Sequence, residues 1–163
     1  MDSPPRSPKQ QLFSAALVRR ILFLGGVEAL VVTSIFFWHI STAGTGFDAF
    51  TSDNPVYRHA LTMAQAAIVT SQIFVGLAVR SDRQSILRVG LLSNPRYLIA
   101  QGISVLIMCA VSYMPALQAL FNTVPLSLAD WVLLVVLGSL VLVADEIRKV
   151  VQRQRDRHRE ATT

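Results

Sequence analysis

The charged residues of this 163-residue chain are confined to a few clusters, and the stretches between the clusters carry almost no charge. Only 15% of the residues are Asp, Glu, Lys or Arg, whereas 52% are hydrophobic. A helix on the surface of a soluble domain has one apolar and one polar face, but a helix in lipid is apolar all round. The pattern therefore predicts an all-α, polytopic membrane protein that lies in a lipid bilayer.

Four apolar stretches are long enough to cross the bilayer, because about 20 residues at roughly 1.5 Å each match its hydrocarbon core. Asn94 and Pro95 open the third stretch, and Ser127 with Asp130 forms a capping box before the fourth. We predict spans over about residues 21–40, 60–79, 97–114 and 128–144. They form one transmembrane domain, 20–146, between a cytoplasmic segment, 1–19, and a basic cytoplasmic tail, 147–163.

The distribution of Lys and Arg predicts the orientation of the chain. Every Lys and Arg except Arg58 lies in the N-terminal segment, in the loop between the second and third spans, or in the tail. Since cytoplasmic loops are enriched in Lys and Arg, we expect both termini in the cytoplasm. The net charge of +5 then needs no nucleic acid to explain it, because the basic residues stand at helix ends.

Glu28 in the first span and Gln72 in the second are the candidate functional residues, because polar groups inside a membrane are costly. Glu28 can hydrogen-bond a neighbouring helix, become protonated, or coordinate a cation. Gln65, Ser71 and Gln72 share a broad face of the second span. That polar stripe predicts either hydrogen bonds between helices or a cation pathway, since side-chain oxygens bind hard cations.

Two further groups have simpler interpretations. His39 and His59 flank the outer loop, and we expect them at the membrane interface because no third ligand stands at metal-site spacing from them. Four charged residues within a five-residue stretch end the last span: Asp145, Glu146, Arg148 and Lys149. A solvated cytoplasmic face is favoured for them over a specific docking contact.

The sequence contains no motif of an enzyme that would act alone. It has no phosphate-binding loop, no H-E-x-x-H zinc motif and no G-x-S-x-G nucleophile elbow. Its one cysteine, Cys109, can form neither an internal disulfide nor a Cys/His metal set. We therefore predict no catalytic residues, no cofactor and no ATPase activity of the chain by itself.

The helix ends resemble those of a known family when they are read in order. Residues 1–9, M-D-S-P-P-R-S-P-K, resemble the M-D-x-P-P-R-x-P-K run before the seventh transmembrane helix of calcium-pump-like P-type ATPases. Further similar motifs follow in the family's order: T-M-A at 62–64, T-S-Q at 70–72, R-S at 80–81, Q-S-I-L-R at 84–88, N-P at 94–95, V-P-L-S at 124–127, D-W at 130–131 and D-E-I-R-K at 145–149.

This resemblance implies that the four spans are helices seven to ten of a cation pump, where they support the ion-binding helices. The implied partner is the N-terminal, catalytic portion of such a pump. Gln72 aligns with a glutamate on the eighth helix that helps to bind calcium in reticulum-type pumps, so the glutamine keeps a carbonyl ligand but loses the charge. Gln72 is thus a possible side contributor to a cation site, and Glu28 is the weaker candidate.

We predict that the chain lies in the plasma (cell inner) membrane. Because Met1 stands inside a loop of the family, we expect a split or shortened pump gene. Two other functions stay open. One is an independent four-helix protein that binds and modulates a complete pump, and the other is a self-contained channel or carrier. The second is less favoured because the sequence shows no broken helices and no inverted repeat.

Overall fold

The computed structural model describes residues 15–44, 50–51, 53–79 and 94–161, and its regular secondary structure in these ranges is helical. The helices are α1 (Ala15–Thr42), α2 (Pro55–Ala78), α3 (Pro95–Tyr113), the short α4 (Pro115–Phe121) and α5 (Leu128–Ala161). Among the described residues, α1, α2, α3 and α5 are long and apolar enough to cross a membrane, which confirms the predicted all-α fold with four such helices. The exact bounds of the spans stay a prediction. The predicted segment up to residue 14 and the basic loop 80–93 lie outside the described residues.

Short polar caps explain where the helices begin. The Asn54 side chain accepts a hydrogen bond from the Val56 amide at 2.9 Å, and Pro55 stands at the first helical position of α2. Asn94 caps α3 in the same way, before Pro95. Proline is favoured at this position because its fixed φ suits the helix and its missing N–H would have no partner there.

The predicted capping box at the start of α5 is confirmed. The Ser127 amide donates to Asp130 Oδ2 at 2.8 Å, and the Asp130 amide donates back to Ser127 Oγ at 3.2 Å. These two bonds satisfy donors that the first turn of a helix leaves without partners.

Helix α2 lies at the centre of the bundle, in contact with α1 and α5. Its buried face is built largely from small residues, including Ala60, Ala66 and Ala67. Gly138 of α5 faces α2, where a Cβ would come within 3.3 Å of the Phe74 ring. Small residues let helix backbones approach closely, which is the main way that helices pack in lipid.

Helix α3 lies at the edge of the bundle and is attached through Tyr97 near its start, Met108 in the apolar core and Tyr113 at its end. The Tyr97 hydroxyl donates to the Ile73 carbonyl of α2 at 2.7 Å, and its ring lies over Gly76, where a Cβ would overlap it. The opposite side of α3 is more than half exposed at several large apolar residues: Ile99, Ile103, Leu106 and Ile107. This side therefore faces lipid or another protein.

The connection between α4 and α5 is fastened to α2 by hydrogen bonds. The Val124 amide donates to Thr62 Oγ1 at 3.0 Å, and the Arg58 guanidinium donates to the Thr123 carbonyl at 2.9 Å. Before it, Asn122 adopts a left-handed conformation with φ of 53°, which asparagine tolerates better than most residues. The chain can thus turn sharply and place the start of α5 beside α2.

At the other end of the bundle, a buried ion network joins the start of α1, the end of α2 and the second half of α5. Asp145 is 0% exposed and Lys149 is 1% exposed, and their charged groups lie 2.8 Å apart. Arg148 contacts the other carboxylate oxygen of Asp145 at 2.7 Å. Arg20 of α1, 7% exposed, places its guanidinium 3.8 Å from Asp145. Arg20 and Lys149 also donate to the last carbonyl of α2, that of Ala78, at 2.8 and 3.4 Å.

The prediction of a solvated face is therefore wrong for Asp145 and Lys149, which are both buried. The reason is helical periodicity: α5 continues without a break past Ala144, so Asp145 and Lys149 share one face, one turn apart. Ile147, in contrast, lies on the outward face and is 60% exposed. The helix thus places charges inward and apolar side chains outward, which is the reverse of a soluble amphipathic helix.

We expect Asp145→Asn to lower the stability of the bundle by about 3–5 kcal/mol, because Lys149 and Arg20 would stay buried without their carboxylate. The matched control is Arg155→Gln on the exposed part of the same helix, with an effect within about 0.5 kcal/mol. Equilibrium unfolding in mixed SDS and mild-detergent micelles measures both. Equal losses for the two variants would contradict the role of the ion network.

Candidate functional site

Glu28 and Gln72, the two candidate residues, lie in direct contact across the interface of α1 and α2. The Gln72 amide nitrogen donates to both carboxylate oxygens of Glu28, at 2.9 and 3.1 Å. The Ser71 hydroxyl lies 2.7 Å from Glu28 Oε1 and 3.0 Å from the Ile68 carbonyl of its own helix. Glu28, Ser71 and Gln72 form one hydrogen-bonded group, which we call the Glu28 group.

The two helices position this group by simple geometry. Ser71 and Gln72 are adjacent in sequence, so their side chains point about 100° apart on α2 and can approach one carboxylate from two sides. Ser71 is fully buried, Glu28 is half-buried and Gln72 is exposed. The group therefore begins in the helix interface and opens to the surface on one side.

The Glu28 group lies at membrane depth. Glu28 is eight residues after Arg20, which corresponds to about 12 Å along α1. It is also 14 residues before the end of the helix at Thr42, or about 21 Å. A carboxylate this far from either end is costly in lipid unless polar neighbours or another protein cover it.

The group has the right atoms for a hard cation but too few of them. Hard cations such as calcium take 6–8 oxygen ligands from carboxylates, carbonyls and water. Glu28 supplies two carboxylate oxygens and Ser71 one hydroxyl oxygen, while Gln72 turns its N–H toward Glu28. The described ranges contain no cluster of three or more His, Cys, Asp or Glu side chains suited to a metal ion. Further ligands would have to come from outside this bundle.

For Gln72 to serve as a ligand beside Glu28, its amide must rotate. In the structure the amide nitrogen faces Glu28, so the amide oxygen points away from the carboxylate. A half-turn about the terminal torsion would exchange the two atoms, and such sp³–sp² torsions are broad and roughly two-fold. A cation next to Glu28 would favour the rotated amide, because it attracts the oxygen and repels the N–H group.

The sequence pattern singled out three polar residues on this face of α2, and the structure brings two of them, Ser71 and Gln72, to Glu28. Gln65 is half-buried about two turns away and does not belong to the group. The contact between Glu28 and Ser71 was not predicted, since no sequence signal sets the rotation of α1 against α2. A part in cation binding stays a prediction for Glu28 and Gln72.

Comparison with known proteins shows that one protein family matches nearly the whole chain. The family described as "Cation transporting ATPase, C-terminus" matches residues 1–151. Calcium-transporting ATPase 1 of Yarrowia lipolytica is 31% identical over 157 residues, which cover 95% of this chain and 16% of that protein. Calcium-transporting ATPase type 2C member 1 of Mus musculus is 30% identical over 154 residues, covering 94% of this chain and 16% of that protein.

Calcium-transporting ATPase 1 of Saccharomyces cerevisiae gives a similar result, with 28% identity over 157 residues, 96% of this chain and 15% of that protein. The chain thus spans about one-sixth of the length of these relatives and matches their C-terminal part. The matched region contains no catalytic domain.

We expect Ser71→Ala to lower the stability of the α1–α2 interface by about 0.5–1.5 kcal/mol, because it removes one donor to the Glu28 carboxylate. The matched control is Ser104→Ala, since the Ser104 hydroxyl donates to Ala100 of its own helix at 3.2 Å. A double-mutant cycle with Glu28→Ala should give a coupling energy of similar size. If both serine variants unfold alike and the cycle shows no coupling, the contact is not a stabilising one.

Proposed function

This chain belongs to the family of cation-transporting ATPase C-termini and is the C-terminal transmembrane region of a P-type cation ATPase, and we propose that it supports the ion-binding helices of that pump. The observation that carries the proposal is the Glu28 group, which is a polar cluster at membrane depth with an exposed Gln72. Because polar groups in lipid are costly, this surface is expected to face protein. The bundle itself is proposed to have no ATPase activity.

The neighbouring surface supports the same proposal. Gly25 and Ala29 are exposed on α1, four residues apart and next to Glu28. A Cβ added at Gly25 would meet nothing within 4 Å, so packing among the described residues does not require a glycine there. Small residues at four-residue spacing are typical of close helix contacts in membranes. We call Gly25, Glu28, Ala29 and Gln72 the assembly face, and propose that an ion-binding helix from the rest of the pump packs on it.

We further propose that Glu28 and Gln72 contribute to a cation site from its side. The names of the relatives give calcium as their cargo, but Gln72 is neutral where the family resemblance leads us to expect a glutamate. The Glu28 group has one carboxylate and too few oxygens to hold a cation alone. The remaining ligands are proposed to come from the partner helices, which leaves the identity of the cation to them.

The orientation proposed for this assembly follows from the basic residues. Arg20, Arg148 and Lys149 gather at one end of the bundle, and the tail beyond them is rich in Arg. The positive-inside rule would place this end, and both termini, in the cytoplasm. A plasma (cell inner) membrane location is proposed with it.

Purification from native membranes tests the assembly. An antibody against residues 148–163 should recover, in mild detergent, the nucleotide-binding portion of a P-type ATPase, in the same chain or in a second one. Recovery without any catalytic portion would overturn the proposal. Recovery with a complete pump that has its own helices seven to ten would favour the alternative, an independent protein that modulates a pump.

In the assembled pump we expect Gln72→Ala to raise the cation concentration for half-maximal ATPase activity roughly five-fold, which corresponds to about 1 kcal/mol of lost binding. The maximal rate should change little, because Gln72 is proposed to act on the bound cation and not on the ATP reaction. The matched control is Gln101→Ala on α3, away from the assembly face, with no change expected. An unchanged cation dependence in the Gln72 variant would remove Gln72 from the cation site.

A further inference from the structure

Three ionisable residues meet at the end of the bundle opposite the buried ion network. His39 lies in the last turn of α1, His59 in the second turn of α2 and Asp130 in the first turn of α5. His59 Nδ1 lies 3.0 Å from His39 Nε2, and His59 Nε2 lies 3.3 Å from Asp130 Oδ2. His59 thus stands between a carboxylate and a second imidazole, and the three side chains link three helices.

The hydrogen-bonding roles in this chain follow from the chemistry of the groups. An ionised carboxylate only accepts, so His59 Nε2 must carry the proton in its contact with Asp130. A neutral His59 then has an accepting Nδ1, and His39 must donate to it from Nε2. In this state the three residues carry one net negative charge, on Asp130.

One added proton strengthens the contacts among His39, His59 and Asp130. It can enter at His39 Nδ1 while the Nε2 proton of His39 moves to His59 Nδ1, so that the 3.0 Å hydrogen bond is kept with its direction reversed. His59 becomes an imidazolium directly beside Asp130, and the net charge becomes zero. Hydrogen bonds between ionised groups are about twice as strong as neutral ones.

A second proton has the opposite effect. With both rings charged, His39 and His59 would point N–H groups at each other across 3.0 Å, and two like charges would stand in contact. The carboxylate of Asp130 already accepts from the Ser127 amide and hydroxyl, both at 2.8 Å, which holds it in place. The cluster can therefore bind one proton well but not two.

The other charged groups at this end that the structure describes are engaged elsewhere or exposed. Arg58, next to His59 on α2, directs its guanidinium to the Thr123 carbonyl. The Tyr113 hydroxyl donates to a main-chain carbonyl and accepts from the indole of Trp131. Asp53, before α2, is exposed. His39 supplies the titratable group from α1, His59 from α2 and Asp130 from α5.

We propose that His39, His59 and Asp130 form a proton-binding site with a capacity of one proton, which couples the packing of α1, α2 and α5 at this end to pH. The site is separate from the Glu28 group, since His39 is 11 residues from Glu28, or about 16 Å along α1. His59 is 25% exposed and Asp130 is 19% exposed, so protons from the aqueous phase can reach the cluster. The ligand of the site is the proton itself, and the described residues contain no group of three or more His, Cys, Asp or Glu side chains suited to a metal ion.

Histidine NMR tests the site without any disruptive substitution. The full chain, labelled in histidine and reconstituted in lipid nanodiscs, carries His158→Gln so that only His39 and His59 give signals. Two coupled sites titrate as a pair, and we expect two steps separated by at least about one pH unit, with both rings responding to each step. Independent titration of the two rings with a common midpoint would overturn the proposal.

Stability measurements provide a second test. Below the ordinary histidine pKa of about 6.5 the unfolded chain binds protons at both histidines, whereas the folded chain holds only the first. Stability must therefore fall as the pH falls from about 6.5 towards the second step. We compare the His158→Gln chain with the double variant that also carries His39→Gln. For each unit by which the pH falls, the SDS-unfolding equilibrium constant of the first should rise up to about ten-fold relative to that of the second. Matching pH dependences for the two proteins would overturn the one-proton capacity, even if His59→Gln or Asp130→Asn failed to fold.

Discussion

Helices α1, α2 and α5 are held together by polar contacts at three depths, and the rest of the bundle depends on these contacts. In lipid, apolar side chains gain little by leaving their surroundings for another helix, so packing and hydrogen bonds have to hold helices together. The ion network of Asp145 lies at one end, the Glu28 group at membrane depth, and the His39–His59–Asp130 cluster at the other end. Small residues on α2 bring the helices close enough for all three.

One side of the bundle, on α1 and α2, carries polar and small residues that no other helix of the bundle covers in the described part of the chain. We assign the functional role to this side. The assembly face combines an exposed Gln72 with a glycine, Gly25, that packing among the described residues does not need. Helix α3, in contrast, packs on α2 with Tyr97 and Met108 and faces outward with large aliphatic side chains. A partner helix is therefore expected on the α1–α2 side, and lipid on the α3 side, which agrees with a chain that spans about one-sixth of the length of its relatives.

The sequence predicted the secondary structure well, because hydrophobic length and helix caps are local signals. The four spans and the Ser127–Asp130 capping box were confirmed, and so was the family. The interpretation of Asp145 and Lys149 as solvated was wrong, although their four-residue spacing on a continuing helix could have indicated a shared face. What this spacing does not reveal is whether that face points to water or to Arg20.

Composition and charge placement by themselves determined that this chain is a four-span membrane bundle, because the bilayer demands about 20 apolar residues per span wherever they stand in the fold. They also marked Glu28 and Gln72 as exceptional, since any polar residue in a span is. Only the tertiary structure decided which polar residues meet: Glu28 with Ser71 and Gln72, His39 with His59, and Arg20 with Asp145. Those pairings depend on how each helix is rotated about its own axis, and that rotation is set by contacts between segments far apart in the chain.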